Sequence, residues 1–370
     1  MLGILIFDFV AAVLWIFFLT RLDPNRKDKK SVSRLIKFFL AGLLSVIPTL
    51  LLYEILIFDY IDSGSWVLYS IIEEFLIVGP VEEFSKFIIF FLFSRKLKST
   101  REPIDVILQA GAVALAFATV ENIFYGTFVH PDILFFRWLF CATGHLAYSS
   151  IWAFYCIAVY YGNNSNKSRH NYLLIIFSIF PAAFLHGLYN FMLDMGLPLG
   201  ALLVSAIALS LAYCIYRILL KTSPYRLFTP AEYKQAIPVM LQGLKRNPGS
   251  VVLNRRLALF YLHTGDYRKS LKHLERCRKI SPNNAYVKSI KAVALIMDGK
   301  IERGENLLSR SFRRMDSPAR WIFKRNIKRM LSDTTDGSPQ MKAEQRYNRF
   351  FVDHFFSYDT ALSTASINEN

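Results

Sequence analysis

The chain has 370 residues, is 53% hydrophobic and carries only 19% charged residues, below the roughly one quarter usual for a soluble domain. Its formal charge is +16, yet residues 221–370 alone hold 28 Lys/Arg against 13 Asp/Glu, a balance of +15, so the preceding residues are nearly neutral. That division excludes a single water-soluble globule and predicts a membrane-embedded part followed by a basic part in water.

In chain order, the first element, Met1 to Leu19, is apolar and lacks both a basic leader region and a small-x-small cleavage site, so it reads as a retained span. A membrane helix needs about 20 mostly apolar residues. Seven segments qualify, at 2–19, 35–58, 67–94, 104–124, 134–161, 172–194 and 198–220. The third is interrupted by Glu73-Glu74, Gly79-Pro80 and Glu82-Glu83. Proline removes a backbone donor and kinks a helix, so this segment is expected to break into an interfacial piece over 67–78 and a half-helix over 81–94. The fold class is therefore all-α: a polytopic bundle of about seven spans over 1–220, a cytoplasmic helical domain over 221–331 and a flexible tail over 332–370.

The loops alternate in charge. Loop 20–34 holds Arg21, Arg26, Lys27, Lys29, Lys30 and Arg34; loop 95–103 holds Arg95, Lys96, Lys98 and Arg101; loop 162–171 holds Lys167 and Arg169. Loops 59–66, 125–133 and 195–197 hold no Lys or Arg, and carry Asp59, Asp62 and Asp132. The positive-inside rule places the N-terminus outside and the C-terminal part in the cytoplasm.

That C-terminal part repeats itself. Pro248 and Pro282, Ala258 and Ala292, and Gly265 and Gly299 are each 34 residues apart. A helix–turn–helix period of this length resembles tetratricopeptide repeats, which need about three units for stability. Helices near 231–245 and 318–331 are expected to complete the array. Its use is either a groove for a protein partner or a basic scaffold against anionic lipid headgroups. Nucleic-acid binding is not expected, because aromatic and basic residues do not interleave. The cysteines Cys141, Cys156, Cys214 and Cys277 have neither zinc-knuckle nor disulfide spacing and read as small apolar packers.

The chemical signal lies inside the spans, where a charged side chain costs at least ~2.5 kcal/mol. The third span holds Glu82, Glu83 and Lys86, spaced so that the lysine reaches either carboxylate. The fourth holds Phe117, Glu121, Asn122 and Tyr125; the fifth His145; the sixth His186 and Asn190, which share a helix face. At ~1.5 Å per residue, Glu82 lies about 18 Å above the cytoplasmic end of its helix, Glu121 about 25 Å and His186 about 21 Å. His145 lies about 14 Å in from the other side, so all four reach the outer half of a core about 30 Å thick. Such convergence points to a reactive or ion-handling site. Asp8, Glu54, Glu73, Glu74 and Asp194 sit toward span ends, and Arg137 can snorkel outward, so these six receive no chemical role.

These motifs resemble the PrsW family of intramembrane proteases, related to the CAAX-processing and bacteriocin-processing membrane endopeptidases. The family pattern EExxK, FxxxENxxY, a later His and HxxxN is met in order by Glu82-Glu83 with Lys86, by Phe117, Glu121, Asn122 and Tyr125, by His145, and by His186 with Asn190. The similarity covers roughly residues 35–195. The wider superfamily has histidine where this chain has Glu121. The resemblance implies endoproteolysis of a membrane-anchored protein, such as an anti-sigma factor, near the extracytoplasmic face of a bacterial membrane. By analogy with the related family, Glu82 would be the general base, with Lys86 keeping Glu83 ionised. His186 and Asn190 would donate to the oxyanion, and Glu121 and His145 would orient the base or relay a proton. No cofactor is needed for that chemistry. Zinc is the alternative, drawing on Glu83, Glu121, His145 and His186, although no His-Glu-x-x-His motif spells out a ligand set. A proton or ion path, or a non-catalytic scaffold presenting the repeats, are the other functions such a chain could serve.

Overall fold

The computed structural model describes residues 1–25, 29–56, 65–97, 102–161, 173–226 without 175, 228 and 232–312. The expected helix at 318–331, the tail at 332–370 and the loop with Lys167 and Arg169 lie outside the described residues. The described chain divides into two units, one ending at Arg226 and one beginning at Leu227.

The first unit contains α1 (Leu2–Leu22), α2 (Lys29–Gly42), α3 (Val46–Leu56), α4 (Trp66–Ile72), α5 (Gly79–Leu97), α6 (Pro103–Phe128), α7 (Leu134–Phe136), α8 (Ala142–Tyr161), α9 (Ile179–Asp194) and α10 (Pro198–Thr222). A short 3₁₀ turn, Leu43–Ser45, joins α2 to α3. Four stretches are long and apolar enough to cross a membrane unaided: Leu2–Leu22, Ser31–Leu56, Pro103–Phe128 and Pro198–Thr222. The segments between them are also helical but carry polar residues, so helix length alone does not establish seven spans.

α6 is the axis of the bundle. It starts with a capping box between Glu102 and Asp105 and with Pro103 in the first turn, which satisfies the free N–H groups there. Ala110, Ala112, Ala114, Ala116 and Ala118 are all fully buried, because small side chains let neighbouring backbones approach closely. At Gly42 on α2, a Cβ would stand 2.7 Å from the Val113 backbone. By contrast α1 turns Leu2, Ile6, Phe9 and Phe17 outward, as suits hydrocarbon.

The third apolar segment departs from expectation. It does not break at Gly79-Pro80: α4 runs through a π-helical turn, Glu73–Val78, directly into α5. The Gly79 N–H bonds the Glu74 carbonyl, five residues back. The wider turn seats proline, which has no N–H to place, without interrupting the helix.

The second unit holds α11 (Tyr233–Arg246), α12 (Val251–His263), α13 (Tyr267–Ile280), α14 (Ala285–Met297) and α15 (Ile301–Phe312). The 34-residue period is visible in its caps. Ser250 and Asn284 cap α12 and α14, and Gly265 and Gly299 follow those helices with φ of 80° and 81°, a conformation glycine adopts without strain. Leu253, Leu257, Ala258, Leu274, Ile290, Ala292 and Val293 form its dry interior. Ser270 Oγ donates to the Ala258 carbonyl at 2.7 Å, and His273 Nδ1 meets Asn254 Oδ1 at 2.9 Å.

Candidate active site

Five helices of the first unit meet at one buried polar cluster. The end of the π turn aims Glu82 and Glu83 inward, with Lys86 one turn later; α6 supplies Glu121 and Asn122, α8 His145, and α9 His186 and Asn190. Glu82, Glu83, Lys86, Asn122, His145 and His186 are all buried. α9 can lie this close because of Gly187: a Cβ there would stand 2.4 Å from the Glu74 carbonyl oxygen, and one at Gly79 would stand 2.5 Å from that of Ala183.

Lys86 is the hub. Its Nζ is 2.8 Å from Glu83 Oε1, 3.4 Å from Glu82 Oε2 and 2.7 Å from His145 Nδ1, and lies 4.3 Å from the centre of the Phe117 ring. An ammonium only donates. His145 Nδ1 therefore accepts, so Nε2 carries the proton and donates to Glu121 Oε2 at 2.8 Å. Both imidazole nitrogens are thus engaged. Glu121 Oε1 pairs with Arg137 at 2.7 Å, and Arg137 Nε donates to Asn122 Oδ1 at 2.8 Å. The result is a connected row in which Arg137 pairs with Glu121, the neutral His145 bridges Glu121 to Lys86, and Lys86 pairs with Glu82 and Glu83, so that no buried ion stands alone.

The two adjacent glutamates differ. Glu83 is enclosed: besides Lys86, its Oε2 accepts from Ser149 at 3.2 Å and from Trp152 Nε1 at 3.1 Å. Glu82 opens onto a cavity of about 500 Å³ that is also lined by Glu121, Tyr125, Arg137 and Asn190. Tyr53 Oη on α3 donates to Glu82 Oε1 at 2.9 Å. His186 is the least committed group, with Nε2 at 3.7 Å from Glu82 Oε2 and Nδ1 at 3.3 Å from Glu83 Oε1. Its ring stacks on Tyr148 at 5.2 Å, and Nδ1 has no hydrogen-bond partner.

The donor set can be tested against a metal. Glu82, His145 and His186 bring one ligand atom each within 4.8 Å of one another, and two imidazoles with a carboxylate suit zinc. The trio differs from the set expected from sequence. Glu83 is consumed by Lys86, Ser149 and Trp152, and Glu121 by Arg137 and His145, while Glu82 takes their place. In this arrangement the trio does not fit an ion, because the Lys86 ammonium already contacts two of its members and His145 has spent both nitrogens.

Several residues escaped sequence reasoning. Arg137 does not snorkel outward; it faces Glu121 and packs its guanidinium 3.6 Å from the centre of the Tyr125 ring. Glu73, Glu74 and Asp194, placed toward span ends from sequence, line the cavity as well. Asp8 accepts from Trp138 Nε1 at 2.5 Å, away from the cavity. Asn190 donates to Glu74. Arg137 was detectable as the charge 16 residues after Glu121, within a hairpin's reach. Tyr53, a lone tyrosine in an apolar run, gave no sequence signal.

A family model described as "PrsW family intramembrane metalloprotease" matches residues 30–219, and one described as "Tetratricopeptide repeat" matches residues 228–294. Three similar proteins are named Protease PrsW. That of Geobacillus kaustophilus is 29% identical over 166 residues, 45% of this chain and 69% of the relative. That of Oceanobacillus iheyensis is 29% identical over 170 residues, covering 45% and 74%, and that of Bacillus subtilis 27% identical over 169 residues, covering 46% and 73%. No solved structure matches the chain.

Proposed function

The chain belongs to the PrsW family of intramembrane proteases, and we propose that Glu82 activates the water that hydrolyses a peptide bond in a membrane-anchored protein. One observation carries this: of the paired glutamates, Glu82 faces the cavity and Glu83 is sealed behind it. Glu82 takes a proton from water as the water oxygen attacks the peptide carbonyl carbon. The carbonyl oxygen becomes an oxyanion, to which Asn190 at the cavity and His186 beside Glu82 would donate. The C–N bond then breaks, and the proton on Glu82 passes to the leaving amine.

The remaining polar residues position this pair. Lys86 holds Glu82 and Glu83 together; Glu121 and His145 hold Lys86; Asn122 and Arg137 hold Glu121. The Lys86 ammonium supplies, from within the chain, the positive charge beside Glu82 that a metal would otherwise bring. Loop charge supports a reading in which the N-terminus is outside, the catalytic layer lies in the outer half of the membrane and the repeats are in the cytoplasm, where they present a surface to a protein partner; the family resemblance points to a bacterial plasma membrane.

The deciding experiment is cleavage of single-span proteins in liposomes by wild type and by Glu82→Gln, with and without a strong chelator. We expect wild-type cleavage to persist in chelator and Glu82→Gln to lose at least ~100-fold in rate. Loss of activity in chelator and its return on adding zinc would replace the metal-independent mechanism with a metal-dependent one.

A further inference from the structure

The cavity beyond Glu82 holds charge that the proteolytic steps do not use. Glu73 and Glu74 lie in the π turn, about 12 Å before Glu82 along the helix, and Asp194 ends α9; all three line the cavity. Each is met by a neutral donor: Tyr69 at Glu73, Asn190 at Glu74 and Ser70 Oγ at Asp194, 2.7 Å away. Glu74 is only 8% exposed, and its Oε2 has no hydrogen-bond partner. The cation lining the same cavity, Arg137, is already committed to Glu121, Asn122 and the Tyr125 ring.

The surrounding sequence brings no relief. The described loops 125–133 and 195–197 contain no Lys or Arg, and the first adds Asp132. Carboxylates gathered out of bulk water without a counter-charge are costly, and the cavity that holds them is open to a ligand. The missing charge does not have the shape of a bare ion. Among the described residues, the donor atoms that converge to within 4.8 Å belong to Glu82–His145–His186 and to Asp23–Glu102–Asp105. Carboxylates spread along a wall suit the long stem and several N–H groups of a lysine or arginine side chain.

We propose that the substrate inserts a basic side chain into this end of the cavity, so that Glu73, Glu74 and Asp194 select a membrane protein with Lys or Arg beside its scissile bond, at the face opposite the basic loops. This selectivity rests on the protease assignment above. It is also discriminating, because Lys and Arg are scarce in the non-cytoplasmic flanks of membrane proteins.

The test separates binding from cleavage. Full-length Glu82→Gln protein in phosphatidylcholine vesicles is titrated with single-span Leu/Ala peptides that carry Lys, Gln or Glu at successive boundary positions, and binding is read by energy transfer. At one position the Lys peptide should bind about tenfold more tightly than the Gln peptide. Adding Glu73→Gln and Asp194→Asn should abolish that preference while leaving the Gln peptide's affinity unchanged, which also reports that the variant is folded. Equal affinity for Lys, Gln and Glu peptides at every position overturns the proposal. Parallel cleavage by wild type keeps the two questions apart: cleavage without a Lys preference sinks the selectivity alone, and a Lys preference without cleavage sustains it while counting against the protease mechanism.

Discussion

Lys86 puts one ammonium in contact with two carboxylates and an imidazole, and the spacing of Glu82, Glu83 and Lys86 made two of those contacts legible from sequence. The contact with His145 was not, because it crosses from one helix to another. Tyr53 shows the same limit: its hydroxyl reaches Glu82 from α3, and no local pattern marks it. Tyr53→Phe should lower kcat about tenfold with KM little changed, since it loosens Glu82 without narrowing the cavity. An unchanged kcat would reduce Tyr53 to packing. In the second unit, burial holds the His273 imidazole down to about 4, helped by Arg276 and Lys272 nearby. The unfolded chain binds this proton near the ordinary value of about 6.5. Between those values the unfolded state holds more protons, so stability falls as pH drops from about 6.5 toward 4, by up to about 3 kcal/mol. Hydrogen exchange of α12 and α13 against pH would register it, and His273→Gln should flatten the profile.

Helix contacts decide where the motif residues point. The π turn Glu73–Val78 and α9 touch backbone to backbone at Gly79 and Gly187, and this contact sets His186 beside Glu82. Gly187→Ala would drive a methyl group to 2.4 Å from the Glu74 carbonyl oxygen, forcing α9 away. We expect at least ~100-fold loss of proteolysis, since displacements near 1 Å have effects of that size, with a lower unfolding temperature. Gly111→Ala is the control: its Cβ would meet Leu146 at 3.4 Å, an ordinary contact, and activity should survive. Full activity in Gly187→Ala would show that the close approach is dispensable. Sequence marked Gly79-Pro80 as a breaking point because proline normally ends a helix. The π turn that absorbs it depends on packing against α9, which a single segment does not reveal.

Across the whole chain, the site draws on residues from Tyr53 to Asn190, all within the first unit, and the repeats form a separate interior of their own. The membrane orientation proposed from loop charge can be tested directly. In a Cys214→Ser background, with the other three cysteines buried, His130→Cys should react with an impermeant thiol reagent in intact cells. Lys300→Cys should react only after permeabilisation. The opposite pattern would invert the topology and move the catalytic layer to the cytoplasmic half.

The sequence alone determined the membrane-embedded and basic parts, the order of the helices, the 34-residue repeat and the motif residues Glu82, Glu83, Lys86, Glu121, His145 and His186. These follow from composition, periodicity and short-range spacing, which are properties of a segment by itself. Tertiary structure alone decided that Glu82 faces the cavity while Glu83 is sealed, and that Lys86 stands among the metal-type donors. It also decided that Arg137 turns inward and that Glu73, Glu74 and Asp194 share one acidic wall. Each of these depends on the rotation of one helix against its neighbours, which is set by close contacts such as that at Gly187 and leaves no mark in either helix read separately.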